Sequence, residues 1–196
     1  MISAAAAPAL SAAPYWYLTR STGITAFVLL TVAMAFGIAA TARTLASPAW
    51  PRFATQNLHR NVSLLGLAFL CVHIVTTIVD GFVSVSWWSV VVPFASQYRT
   101  LWVALGTIAF DLTLVVIATS LVRLRMNVTA WRWLHYTVYV SWPLTWLHFL
   151  KTGTDAAHGG FGLWLGIACA GVVGAALAIR VAVGDNGPQP LRSLVR

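Results

Sequence analysis

Glutamate is absent from this 196-residue sequence, and aspartate occurs only at Asp80, Asp111, Asp155 and Asp185. With 8% charged residues, against about a quarter in ordinary globular domains, there is too little charge to cover a water-facing surface. Cysteine is scarce too. Cys71 and Cys169 lie in separate apolar runs, which excludes a covalent haem attachment motif and a zinc knuckle. The net charge of +8 is spread over loops and tails, with no basic cluster interleaved with polar groups, so nucleic-acid binding is excluded. The opening MISAAAAPALSAAP has no positively charged flank, so a cleaved signal peptide is not expected. Lysine is nearly missing: eleven of twelve basic residues are arginine, which with abundant alanine and valine reads as a GC-rich bacterial coding sequence.

What is present is apolar length. A membrane-spanning helix needs roughly 20 mostly apolar residues. Five such segments stand between charged or turn-forming markers: 22–42, 61–79, 100–122, 133–150 and 160–179. The fold class expected is therefore an all-α integral membrane bundle of about five transmembrane helices. Arg43, Arg52, Arg60, Arg123, Arg125, Arg132, Arg180, Arg192 and Arg196 fall on one side of this arrangement, and Arg20, Arg99 and Lys151 on the other. By the positive-inside rule the N-terminus is outside, the C-terminus is cytoplasmic, and the location is a bacterial inner membrane. This divides the chain into an extracytoplasmic segment 1–19, a membrane domain 20–183 and a cytoplasmic tail 184–196.

Residues 81–97, GFVSVSWWSVVVPFASQ, are too apolar for a free loop and are broken by Pro93; they read as an interfacial or re-entrant cap with Trp87 and Trp88 at headgroup depth. Small residues at every fourth position of the last span, Gly162, Gly166, Ala170 and Gly174, allow close approach of another helix. The nearby GGFGLWLG has the wrong glycine spacing for a dinucleotide fingerprint, and no strand precedes it. Asp111, in mid-membrane, is expected to be neutral or paired, with Thr107 or another helix as partner.

The second span carries His59 and, fourteen residues on, His73. The fourth, WRWLHYTVYVSWPLTWLH over 131–148, carries His135 and, thirteen on, His148. Both spans are even-numbered and run parallel, so His59 faces the depth of His135, and His73 that of His148. A single histidine in an apolar helix is as readily a hydrogen-bonding residue as a ligand. Four, paired by depth on parallel helices, are what two stacked bis-histidine haem sites require. At 1.5 Å per residue the two levels lie about 20 Å apart. Zinc is disfavoured, since no third or fourth ligand accompanies either pair. His158, flanked by glycines in an outer loop, reads as a loop residue. Thirteen residues leave His135 and His148 about 140° apart on an ideal helix, so a kink at Pro143 is expected to realign them.

These paired spacings, together with STGITAFVLL, YRTLWVALGTIAFD and WRWLHYTVYVSW, resemble the ferric reductase and NADPH oxidase transmembrane superfamily over roughly residues 20–180. The haem subunit of periplasmic methionine sulfoxide reductase is a more distant likeness. The resemblance implies two non-covalent b-type haems, the inner one on His59 and His135 and the outer one on His73 and His148. Arg60 and Arg132, adjacent to the inner ligands, are candidate propionate partners, or equally plain positive-inside flanks. Bis-histidine ligation fills both axial positions and favours electron transfer over catalysis at iron, so no catalytic residue is assigned. No nucleotide-binding motif follows the last span. The expectation is a membrane haem subunit of an oxidoreductase, without its own flavin or NAD(P)H domain, embedded in lipid. It would carry electrons from a cytoplasmic-side donor such as a flavoprotein to an extracytoplasmic acceptor. A self-contained ferric or quinone reductase, or a non-redox haem-handling or scaffold protein, are the alternatives.

Overall fold

The computed structural model describes residues 7–42, 52–80, 83, 85–157 and 159–185, and every regular element among them is helical. Helices α1 (Ala7–Ala42), α2 (Arg52–Val79), α3 (Thr100–Leu121), α4 (Val128–Tyr136), α5 (Val138–Thr152), α6 (Thr154–Ala157) and α7 (Phe161–Asp185) follow one another along the chain. Four segments, Pro14–Thr41, Phe53–Val79, Thr100–Leu121 and Phe161–Val183, are each long and apolar enough to cross a bilayer. This is a multi-pass membrane protein. Arg43, Arg192 and Arg196 lie outside the described residues, as does His158.

The chain solves the backbone problem of a lipid environment as helices must, by bonding every turn to itself. Hydroxyls are disposed of the same way. Thr22, Thr31, Ser63, Thr76, Thr77 and Thr113 each donate to the carbonyl four residues earlier, at 2.7, 2.9, 2.7, 2.8, 2.6 and 2.7 Å respectively. Apolar side chains are turned outward, among them Leu64, Leu65, Val72 and Val75 of α2, as suits a lipid-facing surface.

Helices α1 and α2 form one antiparallel hairpin, and α3 with α4–α5 forms another. Helix α7 closes the bundle against α1 and α5, where Met34, Ile38 and Val173 are buried together beneath Tyr139 and Trp142. The small residues of α7 divide. A Cβ at Gly166 would come within 2.7 Å of Leu150, and one at Gly162 within 2.8 Å of Asp155, so these two permit the close approach expected of them. Gly174 faces open space.

The expected fourth span is not one rod. It is interrupted at Thr137, between α4 and α5, where the Thr137 N–H and hydroxyl both reach the carbonyl of Leu134, at 3.2 and 2.7 Å. Those bonds close a tighter, three-residue turn. The interruption precedes Pro143, which lies inside α5. The winding thus changes within the thirteen-residue interval between His135 and His148, at a place the proline did not mark. Asn127 fixes the start of α4, its side chain accepting from the backbone N–H groups of Thr129 and Ala130.

The segment after α2 folds back as expected of a cap. Its short 3₁₀ helix, Trp87–Val90, exposes Trp87 and Trp88 but buries Ser89, whose carbonyl accepts the Thr107 hydroxyl at 2.6 Å. That bond uses the partner proposed for Asp111, which is half-buried with no hydrogen bond to Thr107.

Candidate functional site

The four paired histidines lie inside the bundle at two levels. At one, His59 of α2 and His135 of α4 face each other with ring centres 6.2 Å apart and planes inclined by 70°. Two imidazoles binding one metal ion from opposite sides, with nitrogen–metal bonds of about 2 Å, have centres separated by roughly 6 Å. At the other level, His73 of α2 and His148 of α5 line a single cavity of about 300 Å³. Among the described residues no group of three metal-ligating side chains occurs, so a zinc-type centre has no ligand set there.

Three of the rings are anchored alike. The Nδ1 of His73 meets the Thr19 carbonyl at 2.9 Å, that of His59 the Ala33 carbonyl at 2.7 Å, and that of His148 the Trp102 carbonyl at 2.8 Å. A carbonyl only accepts, so each Nδ1 carries the proton and each Nε2 is left with its lone pair, the tautomer a metal ligand needs. Each carbonyl belongs to the residue four before a glycine: 19 before 23, 33 before 37, 102 before 106. The reason is geometric. A helical side chain leans toward the N-terminus and covers the turn before it, so a side chain at the fourth position would screen the carbonyl. A Cβ at Gly106 would stand 2.6 Å from the His148 ring, one at Gly23 2.8 Å from His73, and one at Gly37 3.1 Å from His59. Nδ1 anchored, Nε2 free and space cleared beside the ring together fit a bis-imidazole haem.

His135 is different. Its Nδ1 lies 3.5 Å from the hydroxyl of Ser120, which also receives the Trp131 indole N–H at 3.4 Å, and the Trp131 ring sits 5.1 Å from the imidazole.

Between the levels the bundle is filled by aromatic side chains. Phe27, fully buried on α1, stacks on Phe149 at 4.5 Å and on Trp142 at 6.3 Å, and Trp142 donates to Thr31 at 3.0 Å. Trp146 donates to the Gly166 carbonyl at 2.9 Å. Trp142 and Trp146 therefore pack within the bundle, whereas Trp133 is exposed.

The chain matches the family described as ferric reductase like transmembrane component over residues 22–146, which is 125 of its 196 residues. It belongs to that family. No curated protein and no solved structure matched the chain. The family match takes in His59, His73 and His135 and stops two residues short of His148, whose place beside the others is a matter of this chain's own geometry. Membership carries membrane electron transfer and haem binding as the general expectation for the domain.

Arg60 and Arg132 are exposed at the His59/His135 end, each next in sequence to, or within one turn of, a ring of that pair. Sequence reasoning missed Arg20, which it counted only as a flank. Arg20 lines the His73/His148 cavity, pairs with Asp155 of α6 and lies 4.9 Å over the Trp16 ring. The other two cations that the sequence groups with it are engaged elsewhere: Arg99 donates to the Lys151 carbonyl, and the Lys151 ammonium sits 5.5 Å over Trp102. Asp80, read only as the end of a span, also lines the cavity, with one carboxylate oxygen buried and without a hydrogen-bond partner among the described residues.

Proposed function

We propose that this family member is a two-haem electron conduit, with His73 and His148 ligating an outer b-type haem and His59 and His135 an inner one, within a haem domain spanning 20–183. When bound, the haems supply reversible one-electron chemistry, carrying electrons from a cytoplasmic-side donor to an extracytoplasmic acceptor. The protein's part is to hold four imidazoles as Nδ1–H tautomers, to exclude lipid and water from the bundle interior, and to offer cations to the propionates. Arg60 and Arg132 serve the inner group and Arg20 the outer one. The orientation, with the N-terminus outside, rests on the arginine bias. With the interior negative, outward electron flow runs with the membrane potential, by about 2.3 kcal/mol per electron per 100 mV.

One observation carries the reading most: three histidines on two helices present anchored Nδ1 atoms to carbonyls cleared by glycines. Isolated packing histidines have no need of that repeated arrangement. The test is haem per chain in the purified protein, with a dithionite-reduced minus oxidised spectrum. Two non-covalent, low-spin b-type haems are expected. A haem-free protein, after expression with ample haem supply, would return all four histidines to packing and end the electron-transfer proposal.

A further inference from the structure

The carbonyl-and-glycine arrangement is repeated with a fixed interval. Gly23 and Gly37 are fourteen residues apart on α1, and fourteen residues after Gly106 on α3 comes Ser120. Ser120 thus occupies the position that the other three sites give to glycine. The carbonyl that would answer to Thr19, Ala33 and Trp102 is that of Val116, four residues earlier. At this one place a side chain leans over the turn, and His135 meets a hydroxyl at 3.5 Å instead of a carbonyl at 2.7–2.9 Å. The same oxygen is shared with the Trp131 N–H.

We propose that Ser120 is the positioning residue of His135, and that it makes His135 the weakest electron donor of the four ligands. This rests on the two-haem reading above. A strong hydrogen bond from Nδ1–H to an oxygen raises the basicity of the ligating nitrogen, and a more basic ligand favours the oxidised metal. Exchanging a carbonyl bond of ordinary length for a long, shared hydroxyl contact works the other way. It raises the midpoint potential of the inner haem above the value that four equivalent anchors would give. The serine is therefore a device that sets the two haems apart in potential, although both have two histidine ligands.

The test is a spectroscopic redox titration of the purified, haem-loaded protein against two variants. S120G uncovers the carbonyl of Val116, restores the arrangement of the other three sites and is expected to lower the inner midpoint. S120A keeps the covering Cβ but removes the hydroxyl oxygen that meets Nδ1, and is expected to raise it. The outer midpoint stays put in both. A purely structural role for Ser120 would change haem occupancy or thermal stability without shifts of opposite sign. Unmoved midpoints with both haems bound would overturn the assignment of Ser120 and leave the conduit standing, as would equal shifts at both haems. Loss of haem from wild type as well would overturn both. Should S120G fail to retain the inner haem, S120A and W131F carry the decision. W131F frees the serine oxygen of its second donor and is expected to lower the inner midpoint; no shift in either variant overturns the proposal.

Discussion

At the His73/His148 end both imidazoles rest on backbone carbonyls, both face glycines, and both line one cavity. At the His59/His135 end the ring centres stand 6.2 Å apart, but one ring has lost the glycine and the carbonyl and sits against Trp131 instead. The two ends of one bundle therefore carry the same paired imidazoles with different supports. Support, more than ligand identity, is where two such centres can be made unlike.

The harshest way to break the comparison is to remove a ligand. His148→Ala or His73→Ala is expected to halve the haem content and leave the inner spectrum, whereas His59→Ala or His135→Ala does the reverse. Haem per chain by pyridine haemochrome decides it. A single replacement that left two haems with unchanged spectra would show that ligand to be misassigned.

Next in size are the glycines, which test the supports without touching a ligand. The added methyl of Gly106→Ala meets the His148 ring at 2.6 Å, that of Gly23→Ala meets His73 at 2.8 Å, and that of Gly37→Ala meets His59 at 3.1 Å. Overpacking of this kind costs about 1–3 kcal/mol. Haem retention during purification should fall in that order, Gly106 losing most and Gly37 least. Gly171→Ala, where a Cβ meets nothing within 4 Å, serves as the control and should retain both haems. Equal retention across all four would mean that the glycines are not there for the rings.

A smaller effect is expected between the levels. Trp142→Phe keeps the ring that stacks on Phe27 but deletes the N–H that reaches Thr31, leaving a buried hydroxyl with one partner fewer. A net loss of about 1 kcal/mol is expected, read as a modest fall in melting temperature with both haems in place.

Much of this was legible from residue type and interval, and the rest was not for physical reasons. Apolar run length and arginine placement are properties of the chain, so the membrane bundle and its parallel second and fourth spans could be read directly. The pairing of histidines by depth followed. The interval of fourteen between Gly23 and Gly37, repeated from Gly106 to Ser120, matches the His59–His73 interval and was available in the sequence as well. It went unread because a glycine in a membrane helix is usually a packing residue, and only the facing ring gives it a second meaning. The interruption at Thr137 carries no breaker signature in the sequence, where Pro143 is the residue that marks a kink. The Arg20–Asp155 pair was beyond reach, since it joins residues 135 apart whose meeting depends on how α6 folds under α1.

The finest test of the difference between the ends is electrostatic. Arg60 and Arg132 are exposed beside the inner pair, where an ion pair is worth at most about 1 kcal/mol and is screened by salt. A nearby cation favours the reduced haem, which carries one charge less, so Arg60→Gln or Arg132→Gln should lower the inner midpoint slightly. Neither should alter haem content or the outer midpoint. The shift should be largest at low ionic strength and shrink as the Debye length falls to about 10 Å at 0.1 M salt. Arg20→Gln should act on the outer haem instead, and with less dependence on salt, because Arg20 lies within the cavity and is held by Asp155 and Trp16. If Arg60 and Arg132 moved nothing even at low salt, they would be topological flanks only. The inner centre would then be tuned by its serine and its tryptophan, with no help from surface charge.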